Sequence, residues 1–320
     1  MVNVSEVLTS AEIARLRRKS NVAGALLVLH AWSVVAGAMA LCVLWPNPLT
    51  FVAAVMVIGA RQLGLAILMH DAAHGLLFTN RRLNDVVGQW LCAYPVFTDM
   101  ALYRPYHLKH HRLTQQPEDP DLVLSAPFPI TRDSLKRKLL RDLTGRTAYQ
   151  RRRLQLRDAL GPVEWPRRQR LARFRARLGG GVMMNAAMLV VLTTLGYWWL
   201  YPVLWLLPMA TWYQAITRVR NIAEHAMVGD NDDDFRNTRT THANPLVRLL
   251  LAPYWVNYHL EHHLFLFVPC FRLPEAQHIL IAKGYGDRME VQPGYRAVLR
   301  KASSASTDRH RGEPPVAQLI

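Results

Sequence analysis

The stretch that most restricts the fold of this chain is residues 21–45, which contain no charged side chain. A helix of about 25 residues extends about 37 Å, enough to cross a bilayer hydrocarbon core of about 30 Å. A second apolar run, residues 49–69, follows the turn Pro46-Asn47-Pro48 and contains one charge, Arg61. This pattern predicts a transmembrane helical hairpin.

Arg61 has two interpretations. A charge in the middle of a membrane is costly and is often functional. A helix that projects beyond the bilayer would instead place Arg61 near the interface. The sequence leaves both open.

Four apolar runs in all are predicted to cross the membrane: residues 21–45, 49–69, 182–200 and 203–217. The run from Val86 to Tyr103 is interrupted by a proline and an acid, so it predicts an interfacial or re-entrant element. We expect an all-α integral membrane protein in which residues 220–296 form a cytosolic helical cap. Residues 1–300 are predicted to form one domain, and the Ser-, Arg- and Pro-rich residues 301–320 a disordered tail.

The charge distribution orients the spans. The chain has a formal net charge of +16, and residues 132–177 contain 16 Lys and Arg against four acids. The positive-inside rule accounts for this excess without a nucleic acid partner and places both termini in the cytoplasm. We expect the basic segment to be helical, to lie along anionic lipids of the inner leaflet, and to be interrupted at Gly179-Gly180-Gly181.

Histidine is the residue that points to chemistry, with 13 copies in the chain. Eight of them form three clusters just cytoplasmic of predicted spans: His70 and His74; His107, His110 and His111; and His259, His262 and His263. The spacing within each cluster is i, i+3 or i+4, which on a helix predicts that its imidazoles share one face. A buried imidazole needs partners for both nitrogens, and a metal ion supplies one.

Eight imidazoles exceed the four ligands of one zinc ion and suit two metals. An imidazole-rich site with open positions fits iron that binds O2. A ninth histidine, His225, ends the fourth predicted span one turn after Asn221, which we expect to hold a metal-bound water.

Several acidic residues adjoin the clusters. Three are candidate acceptors for imidazole N–H groups: Asp71, Glu224 and Glu261. The acidic turn at residues 118–121 also has two interpretations, as partners of the histidines or as a solvated loop, and the solvated loop is favoured.

The three clusters, the Asn-x-x-x-His pattern and the run His-Leu-Glu-His-His-Leu-Phe from His259 resemble the membrane fatty acid desaturase/hydroxylase superfamily over about residues 70–280. The resemblance implies a four-span helical fold under a cytosolic cap, with a nonhaem diiron centre and O2 as co-substrate. It implies that the two iron ions are bound by the nine histidines, with Asn221 acting through water.

The chain departs from some branches of that superfamily. Its first cluster is H-x-x-x-H, unlike the longer spacing of the acyl-CoA Δ9 branch, and its third begins with His259 instead of the Gln of front-end desaturases. It lacks the His-Pro-Gly-Gly of a fused cytochrome b5 domain. The resemblance therefore implies a separate electron donor, ferredoxin-like or cytochrome b5-like.

We predict an integral membrane oxidoreductase of a bacterial inner membrane that desaturates a lipid-linked fatty acyl chain reaching the metals from the bilayer. A hydroxylase or ketolase of a lipid or carotenoid is the alternative on the same scaffold. A membrane metal-binding or transport protein would need ionisable residues along the spans, where only Arg61 is charged. The basic segment predicts an acidic ferredoxin-like donor, unless its charge only sets topology and contacts lipid phosphates.

Overall fold

A computed structural model describes residues 2–306. Within them the chain forms sixteen α-helices: α1 (Val4–Val7), α2 (Ser10–Leu16), α3 (Asn21–Leu44), α4 (Pro48–Ala73), α5 (Arg81–Val87), α6 (Met100–Arg112), α7 (Leu122–Ser125), α8 (Arg132–Leu143), α9 (Arg146–Leu160), α10 (Arg167–Thr194), α11 (Leu207–Ala210), α12 (Trp212–His225), α13 (Pro245–Leu250), α14 (His259–Leu264), α15 (Leu273–Ala282) and α16 (Tyr295–Ala302). Short π and 3-10 turns occupy Gly88–Ala93, Tyr94–Val96, Tyr201–Leu206, Cys270–Arg272 and Gly286–Arg288. Strands β1 (Thr240–Thr241) and β2 (Val291–Gln292) pair in parallel, with Thr240 opposite Val291. The all-helical prediction is confirmed.

Three helices of the described chain are long and apolar enough to cross a membrane: α3, α4 and α10. The predicted hairpin of α3 and α4 forms because Asn47 caps α4, accepting the N–H groups of Leu49 and Thr50 at 3.0 and 3.1 Å. In α4, 61% of the apolar stretch is buried inside the protein, against 28% in α3 and 11% in α10. The central helix of the fold is therefore α4.

The second predicted hairpin differs from two unbroken spans. The expected interruption at Gly179–Gly181 is wrong, because α10 runs through it and Gly180 packs against the ring of Tyr94, leaving no room for a side chain. This helix then ends at Thr194, before the predicted end at residue 200. Residues 203–217 are divided at Thr211, where φ is −120° and ψ is −88°, between α11 and α12. The four-span topology stays a prediction.

Arg239 connects the end of α12 to the segment around Glu290 in the C-terminal part of the chain. Its buried guanidinium donates to the Glu290 carboxylate at 3.0 Å and to the carbonyl oxygens of Ala226 and Met227 at 2.9 and 2.8 Å. The same stretch forms the β1–β2 pair. The segment that carries α14 is thereby held against the end of α12.

Arg61 lies in the interior of the protein. Its guanidinium donates to the carbonyl oxygens of Leu249 and Arg248 at 2.9 and 3.3 Å, and it lies over the ring of Tyr254 at 5.4 Å. These carbonyls belong to the last turn of α13, where the helix dipole favours a cation. The charge thus has a structural partner within the protein.

The first residues of the predicted tail belong to the fold. Helix α16 extends to Ala302, and the Ala305 N–H donates to the Ile130 carbonyl oxygen at 3.2 Å. Residues 301–306 are therefore part of the fold. The rest of the predicted tail, residues 307–320, lies outside the described residues.

Candidate metal centre

All nine predicted histidines converge at the C-terminal ends of α4 and α12. They form two groups, and within each group one nitrogen of every ring lies within 4.8 Å of the others. The five-histidine group consists of His70, His74, His107, His111 and His262. The four-histidine group consists of His110, His225, His259 and His263.

The two H-x-x-H-H clusters are each divided between the groups. In α6, His107 and His111 join the five-histidine group, whereas His110 joins the other. In α14 the first and third histidines join the four-histidine group, and His262 joins the other. At about 100° per residue, i+4 lies about 40° from i, whereas i+3 lies about 60° away on the opposite side. The three rings of each cluster thus lie within an arc of about 100° on one side of the helix, and within that arc the i+3 ring points to the neighbouring group, a division that the spacing alone left open.

Helix ends position the remaining rings. His70 lies in the last turn of α4 and His74 follows it, and the helix stops there because Gly75 adopts φ of +74°, a left-handed conformation that favours glycine. His225 is the last residue of α12. Two helix ends, α6 and α14 thus meet at one place.

Neighbouring Nε2 atoms in the five-histidine group are close together. The distances are 3.0 Å between His74 and His107, 2.8 Å between His107 and His111, and 3.0 Å between His111 and His262. A neutral imidazole carries one N–H, so direct hydrogen bonds cannot satisfy this whole chain of nitrogens. Two nitrogens bound at right angles to one metal ion, each about 2.1 Å away, would lie about 3.0 Å apart.

The four-histidine group has the same spacing. Its Nε2 atoms are 2.8 Å apart between His225 and His259, and 3.1 Å apart between His259 and His263. Both groups therefore have distances that suit a shared cation.

The chemistry of the rings also fits a metal. Nε2 of His70 is buried and has no hydrogen-bond partner among residues 2–306, although an unpaired buried polar atom is costly. Burial, reinforced by neighbouring charges, holds the pKa of the rings on α6 and α14 well below the usual range: His107, His111, His259, His262 and His263. Neutral imidazole is the form that binds metal, and an all-imidazole donor set suits iron among other transition metals.

Asp119 holds one of these rings in place. Its buried carboxylate lies 2.8 Å from Nδ1 of His110 and accepts the N–H groups of Gln115 and Asp121 at 2.9 Å. A carboxylate at Nδ1 fixes the tautomer that leaves Nε2 free for a metal. The favoured interpretation of residues 118–121 as a solvated loop is wrong for this residue. The sequence shows only that an acid follows the second cluster. It does not show whether that side chain turns toward the histidines or toward solvent.

The three predicted acidic acceptors have different partners. Asp71 accepts the N–H of Cys270 at 2.9 Å, and Glu261 accepts the hydroxyl of Thr240. Neither accepts a hydrogen bond from an imidazole within residues 2–306, because both point off the ring face of their helix. Glu224 comes nearer, with Oε2 3.6 Å from Nε2 of His259..

Glu224 also forms an ion pair with an arginine that sequence reasoning missed. Its Oε1 accepts from Nε of Arg220 at 2.6 Å. Burial raises the pKa of Glu224 to about 7, and the guanidinium opposes this rise. The arginine lies one turn before the acid on α12, a spacing typical of many exposed helix pairs, so the sequence gives it no special status.

Asn221 lies beside the four-histidine group, as predicted from its spacing. It lines a cavity of about 40 Å³ together with His110, His225, His259 and Glu224. A cavity of this size has room for water, which needs about 10–15 Å³. The arrangement suits an amide that holds a water next to a metal ion.

A second cavity, of about 240 Å³, opens beside both groups. His70, His259 and His262 line it, and α4 contributes an apolar wall that includes Leu63 and Ile67. Four tyrosines and Arg220 add polar groups. A molecule in this cavity would contact histidines of both groups.

Membrane-length helices, two convergent imidazole groups and a cavity that reaches them fit a membrane protein whose histidines could hold metal ions. The family model for fatty acid desaturase matches residues 46–293, and the chain belongs to this family. The predicted family is thereby confirmed.

The relatives have more than one activity. The chain is 27% identical to the dihydrorhizobitoxine desaturase of Bradyrhizobium elkanii, over 93% of this chain and 84% of that protein. It is 28% identical to the beta-carotene ketolase of Paracoccus sp. (strain N81106 / MBIC 01143), over 68% of this chain and 74% of that protein. It is also 39% identical to the zeaxanthin 4-ketolase of Chlamydomonas reinhardtii, but over 20% of this chain and 15% of that protein.

Proposed function

We propose that this protein is a nonhaem diiron desaturase that uses O2 and two electrons to introduce a double bond into a lipid-linked fatty acyl chain. The observation that supports this most directly is that histidines of both groups line the 240 Å³ cavity. We assign one iron to the five-histidine group. The other belongs to the four-histidine group, with Asn221 completing it through a water.

The diiron centre, when bound, supplies the oxidant that breaks an unactivated C–H bond. Desaturation removes two hydrogen atoms from adjacent carbons, and these two hydrogens combine with O2, two electrons and two protons to give two molecules of water. The ring of Tyr103 stacks on His107 at 4.9 Å and helps to fix that imidazole. Apolar residues of α4, including Leu63 and Ile67, keep bulk water from the reacting carbon.

Ketolation or hydroxylation of a lipid or carotenoid is the second candidate, and the two ketolase relatives are the observation that favours it. Both outcomes begin with the same C–H cleavage. They differ in whether a second hydrogen leaves or an oxygen atom is transferred to carbon. A ring at the end of a long polyene would fit the cavity with the rest of the molecule in the bilayer.

The membrane arrangement follows the charge pattern. We propose four spans with both termini and the histidines on the cytoplasmic side of a bacterial inner membrane. The fourth span would be the broken helical run from residue 203 to 217. Electrons would come from a separate ferredoxin-like or cytochrome b5-like protein.

Mass spectrometry of lipids and pigments from cells that express the protein tests the proposal. We expect an acyl species lighter by two hydrogens, which disappears with His262→Ala and persists with His278→Ala. His278 is exposed on α15 and belongs to neither group, so it is the matched control. An oxygenated carotenoid would select the ketolase. Purified protein that holds one zinc ion and no iron would overturn both.

A further inference from the structure

Two adjoining grooves lie at the corner between α8 and α9, outside the oxidation site. Their volumes are about 660 and 490 Å³. Cationic side chains line them: Arg137, Lys138, Arg141, Arg146 and Arg153. Arg141 and Arg146 belong to both, so we treat the two as one surface, the α8–α9 groove.

The positive charge of the groove is not neutralised by the protein. Within residues 2–306, the side chains of Arg137, Lys138, Arg141 and Arg146 form no hydrogen bond or ion pair, and Nε of Arg141 is buried without a partner. The adjacent acid, Asp142, accepts from Arg218 and Thr147, and its charge offsets part of the repulsion that the arginines exert on Lys138. Crowded like charges repel one another, so this groove favours an anion.

The same crowding acts on Lys138. Burial lowers its pKa, and the guanidinium groups of Arg218, Arg141 and Arg137 lower it further. A bound anion would oppose this lowering of the pKa, since it would stabilise the charged ammonium.

The surroundings of the groove are apolar. Leu140, Leu143 and Tyr149 expose 61%, 44% and 69% of their surface. Basic residues beside exposed apolar ones are typical of helices that lie in the membrane interface. An acidic protein surface would neutralise the cations but would leave the leucines in water.

The corner also lies next to a predicted membrane segment. A Cβ at Gly145 would lie 3.8 Å from the carbonyl oxygen of Ala210, at the break before α12. Arg151 of α9 donates to the side-chain oxygen of Gln214 at 3.1 Å. These contacts place the groove beside the run of residues 203–217.

We propose that the α8–α9 groove binds one anionic phospholipid, with its phosphate on Arg137, Arg141 and Arg146 and its acyl chains along Leu140 and Leu143. A bound lipid there would join the basic segment to the broken fourth span. This site does not depend on the oxidation chemistry, so it can be tested in protein without turnover.

The test measures lipid binding to delipidated full-length protein in neutral detergent, by native mass spectrometry and calorimetry. The probes are dioctanoyl phosphatidylglycerol, dioctanoyl phosphatidylcholine and inorganic phosphate. We expect the phosphatidylglycerol to bind with one high-affinity equivalent. The triple variant R137Q/R141Q/R146Q should weaken it by about tenfold or more, since each cation near an anionic headgroup contributes substantially.

The matched control is R167Q/R168Q/R175Q, which removes the same charge from exposed positions of α10 outside the groove. Equal losses in the two triple variants would overturn the proposal in favour of diffuse electrostatic attraction. Phosphate or phosphatidylcholine binding as tight as that of phosphatidylglycerol would also overturn it. The proposal would also be overturned if the groove variant bound phosphatidylglycerol normally but was reduced more slowly by an acidic electron donor.

Thermal unfolding checks that the groove variant is folded. A second variant, R137K/R141K/R146K, keeps the positive charge and tests whether charge alone accounts for lipid binding. We expect this lysine variant to retain most of the lipid affinity. If it loses affinity as fully as the glutamine variant while remaining folded, simple charge attraction to the headgroup is refuted.

Discussion

Replacing Asp119 with alanine tests how the four-histidine group is organised. The carboxylate fixes His110 at 2.8 Å and accepts two backbone N–H groups, so its removal leaves two buried donors and one partly buried donor without this acceptor. Loss of such a carboxylate from a metal-bound histidine typically costs about 10–100-fold in metal affinity, or about 1.4–2.7 kcal/mol. The unpaired donors cost further stability, of about 1–3 kcal/mol each.

The assay is iron content and Mössbauer spectroscopy of Asp119→Ala and Asp119→Asn after dialysis against a graded chelator. Since Asp119 contacts only the four-histidine group, we expect one iron to be lost before the other. The asparagine variant should lose it less readily, because its amide oxygen still accepts from Nδ1. Asp133→Asn, at an exposed acid in α8, is the control. Two irons that are released together at the wild-type chelator concentration would refute the assignment of the two groups.

Three other predictions follow from particular contacts. His225→Ala should abolish turnover as fully as loss of any clustered histidine and halve the iron content, which metal analysis checks; retained turnover would remove it from the ligand set. Gly24→Ala should lower stability by about 1–3 kcal/mol, because its Cβ would lie 2.1 Å from the backbone oxygen of Leu77, whereas Gly37→Ala in the same helix has no atom within 4 Å. Thermal unfolding in detergent compares them, and equal midpoints would contradict the packing. Arg239→Met should cost about 3–5 kcal/mol, because it removes the buried guanidinium that pairs with Glu290 and donates to three backbone carbonyl oxygens, while Lys301 still lies 3.8 Å from Glu290. Denaturant unfolding measures the loss, and a loss below about 1 kcal/mol would contradict a buried pair.

The membrane hairpin of α3 and α4 could be predicted because its signals are local. An uncharged run long enough for a bilayer and the capping turn at Asn47 need no distant partner. The second hairpin could not be predicted in the same way. Gly180 marks close packing against Tyr94 instead of a helix end, and that neighbour is 86 positions away in the sequence.

The candidate site shows the same contrast. The spacing of the histidines predicted all nine members, since residues at i, i+3 and i+4 lie close on any helix. The role of Asp119 cannot be predicted from the sequence, because an acidic turn looks alike whether it is solvated or folded back onto His110. The same holds for Arg220, because only the packing of α12 against the cavity brings its side chain beside the histidines.

The sequence by itself thus determined the helical class, the central hairpin and the set of histidines, all through short-range periodicity. Only the tertiary structure decided how those histidines divide. The roughly 100° between neighbouring i+3 and i+4 rings sends them to different centres once α6 and α14 pack across the ends of α4 and α12. That packing also leaves the 240 Å³ cavity beside both groups and the cationic groove at the corner of α8 and α9. Neither can be read from spacing, because each is formed by residues that meet only in the folded chain.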